Sequence, residues 1–150
     1  MPDTNLAILL DRLVRRLHVE LRRKAPEFDT MRVGPGGSML LLTLEETGEI
    51  SMHELAERLV RDKSQMTRSV RSLETKGLVL RQPSQRDSRV TLISLSEAGL
   101  DFVGTLQEVL AQTLDETLVA LTPEAKRDLQ TILETALVAN TTQKAEAAEA

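Results

Sequence analysis

Between Arg61 and Arg89 the chain carries eight basic residues (Arg61, Lys63, Arg68, Arg71, Lys76, Arg81, Arg86, Arg89) against three acidic ones (Asp62, Glu74, Asp87). That block is +5, while the whole 150-residue chain is −4, so the remainder sums to −9. Binding of a polyanion depends on the local field, and a basic block inside an acidic protein is the pattern of a phosphate-binding surface. A solvated helix face is the plainer reading of such a run. The residue types decide more than the charge does. Lys63, Ser64, Gln65, Thr67, Arg68 and Arg71 alternate short polar side chains with cations. Gln pairs bidentately with adenine and Arg with guanine, so this set has the chemistry to read base edges. Arg86, Asp87 and Arg89 crowd a second polar stretch fifteen residues further on.

Other chemistry is scarce. Cysteine is absent, which removes disulfides, thiolate metal sites and cysteine nucleophiles together. There are two histidines, His18 and His53. His18 and Glu20 stand on different faces of any helix, because facing pairs need a spacing of three or four. His53 falls in the first turn of an expected helix and reads as an exposed residue rather than a ligand. No metal and no cofactor are expected. No nucleophile elbow and no Gly-x-Gly-x-x-Gly occur, so an enzyme is not expected and no residue is assigned a catalytic role. With aromatics at 1% of the chain, base-stacking platforms for single strands or RNA lack material. Apolar runs such as Met39–Leu42 are too short to span a bilayer, and no basic-then-apolar leader opens the chain. No membrane association and a cytoplasmic location are the expectation.

The elements that must position these residues follow from periodicity. Residues 5–24 read as a helix, with Leu6, Leu9, Leu10, Leu13, Val14, Leu17 and Leu21 on one stripe and Pro26 ending it. Residues 25–37, holding Pro26, Gly34, Pro35, Gly36 and Gly37, read as a connection, and Ser38 as the cap of a short helix, Met39–Leu44. Ser51-Met52-His53-Glu54 fits a capping box before a helix with Leu55, Ala56 and Leu59 inward. A second helix runs from Lys63 to Lys76 on one narrow stripe, Met66, Val70 and Leu73, and Gly77 stops it. Leu78–Arg81 and Arg89–Leu95 read as strands of a hairpin around the turn Gln82–Ser88. Ser96 caps a long helix whose stripe is Leu100, Val103, Leu106, Leu110, Leu114 and Leu118. Thr122-Pro123-Glu124 starts the last helix, striped by Leu129, Ile132, Leu133, Ala136 and Leu137. The tail at 141–150 has no stripe and reads as disordered.

Two short helices followed by a basic hairpin make a winged helix-turn-helix. Its second helix is anchored by one apolar stripe and presents polar residues to a major groove about 12 Å wide. The hairpin tip then reaches the neighbouring minor groove, whose negative potential attracts arginine. The fold class is therefore mainly α with a small β-hairpin, one domain over 1–150. The winged helix-turn-helix occupies 38–95. The helices at 5–24 and 100–140 carry more leucine than a small lobe can bury alone, and read as a dimerisation lobe.

Ser51–Leu59, Lys63–Val79 and the run from Arg86 through Gly99 resemble the MarR family of transcriptional regulators (multiple antibiotic resistance type). Thr67–Val79 is similar to that family's recognition helix, and Asp87-x-Arg89 to its wing motif. The resemblance implies a homodimer on a pseudo-palindromic double-stranded operator, most often a repressor released by a small molecule. It leaves Arg89 two roles, insertion into the minor groove or pairing with Asp87 to hold the hairpin, with Asp87 orienting the wing. The glycine-rich Gly34–Ser38 departs from the family, and an early aromatic is missing. The cluster Arg12, Arg15, Arg16, Arg22, Arg23 and Lys24 is either a solvated or inter-subunit ion-pairing face, or a counter-charge for an anionic effector. On the second reading Arg15 and Arg16 are the candidates, and leucine and methionine would line the pocket for any apolar effector. A dimeric winged-helix adaptor that binds protein is the alternative, disfavoured because interfaces favour Tyr and Trp anchors.

Overall fold

The computed structural model describes residues 1–149, with side chains through Val138. Along the chain run α1 (Thr4–Phe28), α2 (Gly34–Thr47), β1 (Ile50–Ser51), α3 (Met52–Arg58), α4 (Lys63–Thr75), β2 (Val79–Pro83), β3 (Thr91–Leu95), α5 (Glu97–Thr117) and α6 (Pro123–Glu149). The three strands form an antiparallel sheet in the order β1-β3-β2, with Arg81 opposite Ile93 and Ile50 also opposite Ile93. The chain divides into two compact units, Met1–Thr113 and Leu114–Ala150.

In the first unit the core is built by Leu40, Leu41 and Leu44 of α2, Leu55 of α3, and Met66, Val70 and Leu73 of α4. Leu78, Val79, Ile93 and Val103 close it. The stripe read from α4 is thus the buried one, and each of its residues is at most 2% exposed. Its far end stops at Gly77, whose φ of +75° suits a residue without Cβ. Within the second unit Thr122 caps α6 by accepting from the Ala125 N–H at 3.2 Å, and Lys126 pairs with Asp115.

Four readings change. Helix α1 does not end before Pro26 but runs to Phe28. A proline in the last turn forfeits one N–H bond, and the Asp29 N–H, donating to the Ala25 carbonyl at 2.7 Å, closes the turn after it. Helix α2 starts at Gly34 rather than after Ser38, so Gly-Pro-Gly-Gly is its first turn. Its cap comes from upstream: the Asp29 carboxylate accepts from the Val33 N–H at 2.7 Å and from the Gly34 N–H at 2.8 Å. The strand β1 was not foreseen. On α5 the buried line is Gly99, Val103, Leu106 and Thr113, and Leu100 is 55% exposed. Close packing sets that phase, because a Cβ on Gly99 would lie 2.0 Å from the Leu78 carbonyl oxygen. The tail at 141–150, expected to be disordered, lies outside the residues whose side chains are described.

Candidate nucleic-acid interface

Helix α3 is opened by the Ser51 hydroxyl, which accepts from the Glu54 N–H at 3.1 Å, the serine half of the expected capping box. Helix α4 is opened by Asp62, whose carboxylate accepts from the Gln65 N–H at 2.8 Å and suits the positive helix end. With Met66, Val70 and Leu73 facing the core, the opposite side of α4 is free. Lys63, Ser64, Gln65, Arg68 and Arg71 are all exposed there. Thr67 is half-buried, and its hydroxyl donates to the Lys63 carbonyl at 2.8 Å, so it offers a methyl and an acceptor rather than a free donor.

The basic block is not uniform. Arg81 pairs with Glu74 at 3.1 Å and ties β2 to α4. Arg61 donates Nη2 to the Gly36 carbonyl at 3.3 Å, and Lys76 donates to the Ser72 hydroxyl at 3.3 Å. Among the described residues Lys63, Arg68, Arg71 and Arg86 make no ion pair. Four cations are thereby left to solvent or a ligand on α4 and the wing. Arg61, Gln65, Arg68 and Ser69 line a polar hollow of about 320 Å³. Sequence reading places Arg61 in the basic block without assigning it to the site, and leaves Ser69 out. The spacing of Ser69, four after Gln65, was the available signal.

At the wing the chain turns between Ser84 and Val90, with the Ser84 N–H donating to the Val90 carbonyl at 2.8 Å and the Val90 N–H to the Asp87 carbonyl at 2.9 Å. One carboxylate organises the tip. Asp87 Oδ1 accepts from the Arg89 backbone N–H and from Nε, both at 3.1 Å, and Oδ2 accepts from Nη2 at 3.4 Å. The Arg89 guanidinium, and then its backbone N–H, hold the Asp87 carboxyl below the usual aspartate range. Arg89 remains 89% exposed along its side chain, and Arg86 is exposed beside it.

The remaining sequence candidates lie elsewhere. Arg15 pairs with Asp11 at 2.6 Å on the surface of α1, and Arg16 is exposed. Neither lines the second hollow, about 550 Å³, which is bordered by Arg22, Pro26, Asp29, Arg32 and Gly34. His53 pairs with Glu57 at 3.1 Å, both exposed. Among the described residues no group of three His, Asp or Glu side chains could hold a metal ion, and no helix is long and apolar enough to cross a membrane.

Comparison with known proteins gives four findings. The family model described as MarR family matches residues 38–91. An uncharacterised HTH-type transcriptional regulator of Mycobacterium leprae is 32% identical over 127 residues, which is 85% of this chain and 86% of that protein. The HTH-type transcriptional repressor IacR of Pseudomonas putida is 32% identical over 95 residues, 63% of this chain and 57% of its own length, so the chain spans little more than half of that relative. Among solved structures, a mutant of MarR from E. coli complexed with operator DNA superposes with a TM-score of 0.62 at 24% identity, covering 91% of this chain and 99% of that one. At that identity the likeness concerns the fold.

Proposed function

The chain belongs to the MarR family of transcriptional regulators, and from that premise we propose that it is a homodimeric, cytoplasmic repressor that binds a pseudo-palindromic operator in double-stranded DNA and is released by a small-molecule effector. One observation carries the DNA reading: α4 is held by a single buried stripe while Lys63, Arg68 and Arg71 on its other side make no ion pair. An exposed cation left without a carboxylate is ready for a phosphate or a base edge. On this reading Lys63, Ser64, Gln65, Thr67, Arg68 and Arg71 enter the major groove, and Arg86 and Arg89 approach the minor groove from a tip that Asp87 orients. The relative named a repressor and the neighbour complexed with operator DNA support the same reading. The effector proposal rests on the hollow bordered by Arg22, Arg32 and Asp29, where the Asp29 carboxylate is engaged by the Val33 and Gly34 N–H groups and the two cations suit a small anion.

The test is the salt dependence of binding to a mixed-sequence duplex, followed by fluorescence anisotropy. Each phosphate contact adds about 0.9 to the magnitude of the slope of log affinity against log salt, so a slope of several units is expected. A flat response overturns the DNA reading and favours a protein-binding adaptor.

A further inference from the structure

Helix α3 ends in an unusual way. Val60 has φ +49°, in the left-handed region where a β-branched residue is a steric outlier, and the residue is 91% exposed, so burial does not compensate. Around it the Val60 N–H donates to the Glu57 carbonyl at 3.2 Å and the Arg61 N–H to the Ala56 carbonyl at 3.0 Å, the paired bonds of a Schellman turn. That turn sets the direction in which the next residue leaves the helix. Arg61 is half-buried as a result and rests against the first turn of α2, with Nη2 on the Gly36 carbonyl. A guanidinium has five N–H donors and no acceptor, and the bond to Gly36 uses one. The other donors belong to a group that also lines the hollow with Gln65, Arg68 and Ser69.

The chemistry of that hollow is one-sided. It is walled by two guanidinium groups, a carboxamide and a hydroxyl, and no carboxylate lines it. The nearest one in sequence, Asp62, is engaged as the cap of α4. A guanine edge has room for a single planar fork, whereas phosphate oxygens accept from several donors at once. Arg61 and Arg68 come from different segments, one before the helix and one within it, and converge on the same volume. We infer that this hollow seats one backbone phosphate of duplex DNA, with Arg61 as a fixed arm and Arg68 as an exposed one. The inference rests on the DNA-binding reading above and deepens it. It moves Arg68 from reading a base to fixing register, and it leaves Arg71 and Ser64 to the bases.

The experiment compares the wild-type chain with Arg61→Gln and Arg68→Gln on several mixed-sequence duplexes across a salt series. Glutamine keeps an N–H donor while removing the charge, and among the described residues the exposed Arg68 side chain makes no hydrogen bond or ion pair that the substitution would break. Each substitution is expected to make the salt slope shallower by about 0.9 for every protomer engaged, by the same amount on every duplex sequence. A steep wild-type slope that both variants leave intact overturns the seat alone. A flat wild-type slope overturns the DNA reading and the seat with it. A change confined to one base position in the Arg68 variant also overturns it, since that is base reading. Saturable binding of inorganic phosphate by the free chain, lost in Arg61→Gln while the duplex slopes stay unchanged, makes the hollow a small-oxyanion site and overturns the proposal.

Discussion

Helices α2 and α1 are both rich in leucine, and they dispose of it differently. In α2, Leu40, Leu41 and Leu44 are at most 1% exposed. In α1 no residue is buried, and Leu6, Leu9 and Leu10 keep 50–59% of their surface. Helix α6, considered by itself, resembles α1, with Ile132 64% and Leu137 67% exposed. Covering one such side chain completely stabilises by roughly 1.5–3 kcal/mol, so leaving a whole stripe in water forgoes a large term. The winged helix therefore closes on its own core. The terminal helices carry apolar area that only a second surface can remove, which is the physical content of the dimer proposal.

The sharpest way to break this contrast is to damage the self-sufficient region. Gly99→Ala forces a Cβ against backbone, the Leu78 carbonyl oxygen, which cannot rotate away. A cost on the order of 3 kcal/mol is expected, read as a lower midpoint in urea denaturation, and an unchanged midpoint would mean the close approach there is not structural. The terminal helices should respond through concentration instead. The free chain is expected to scatter light at twice its 16.6 kDa mass. Leu9→Glu should weaken association by about 2–4 kcal/mol, roughly 30- to 1000-fold in dissociation constant, while leaving the far-UV spectrum of the winged helix in place. A monomeric wild type would show that the exposed stripes need no partner.

The smallest effect belongs to the wing, where the pair is exposed and screened by solvent. Because Arg89 depresses the Asp87 pKa, the contribution of this pair is fully present above the unfolded aspartate value of about 3.9 and is lost as pH falls through the lower folded value. The Arg89 backbone amide, followed by NMR, should accordingly titrate below the ordinary aspartate range. At neutral pH, Asp87→Ala removes a negative charge yet is expected to weaken operator binding, non-additively with Arg89→Ala. Tighter specific binding by Asp87→Ala, or additive losses, would reduce the wing to a basic loop.

What was legible in the sequence was local. The stripe of α4, the Ser51 and Ser96 caps and the Asp87–Arg89 pair all involve residues two to four apart, a range in which backbone geometry alone decides who meets whom. The misreadings involve partners that periodicity does not connect. Gly-Pro-Gly-Gly looked like a breaker because its cap, Asp29, stands before the intervening Thr30, Met31 and Arg32 rather than at the N-cap position. Arg61 looked like one more solvated cation because its carbonyl partner is twenty-five residues upstream. The phase of α5 was assigned to Leu100 since leucine outweighs glycine in any hydrophobic pattern, yet it is the absent side chain at Gly99 that lets the helix approach.

The corner between α4 and α5 behaves as a welded joint. The Ser96 hydroxyl donates to the Gly77 carbonyl just past the end of α4 and accepts from the Gly99 N–H in the first turn of α5, while the Ser96 N–H donates to the Leu78 carbonyl at 3.0 Å. One side-chain oxygen thus belongs to both helices, and the Gly99 backbone leaves no slack against Leu78. Torque applied to the first turn of α5 therefore has no free play to absorb it. It must turn the end of α4 in the same motion or break the bonds that Ser96 makes to Gly77, Leu78 and Gly99.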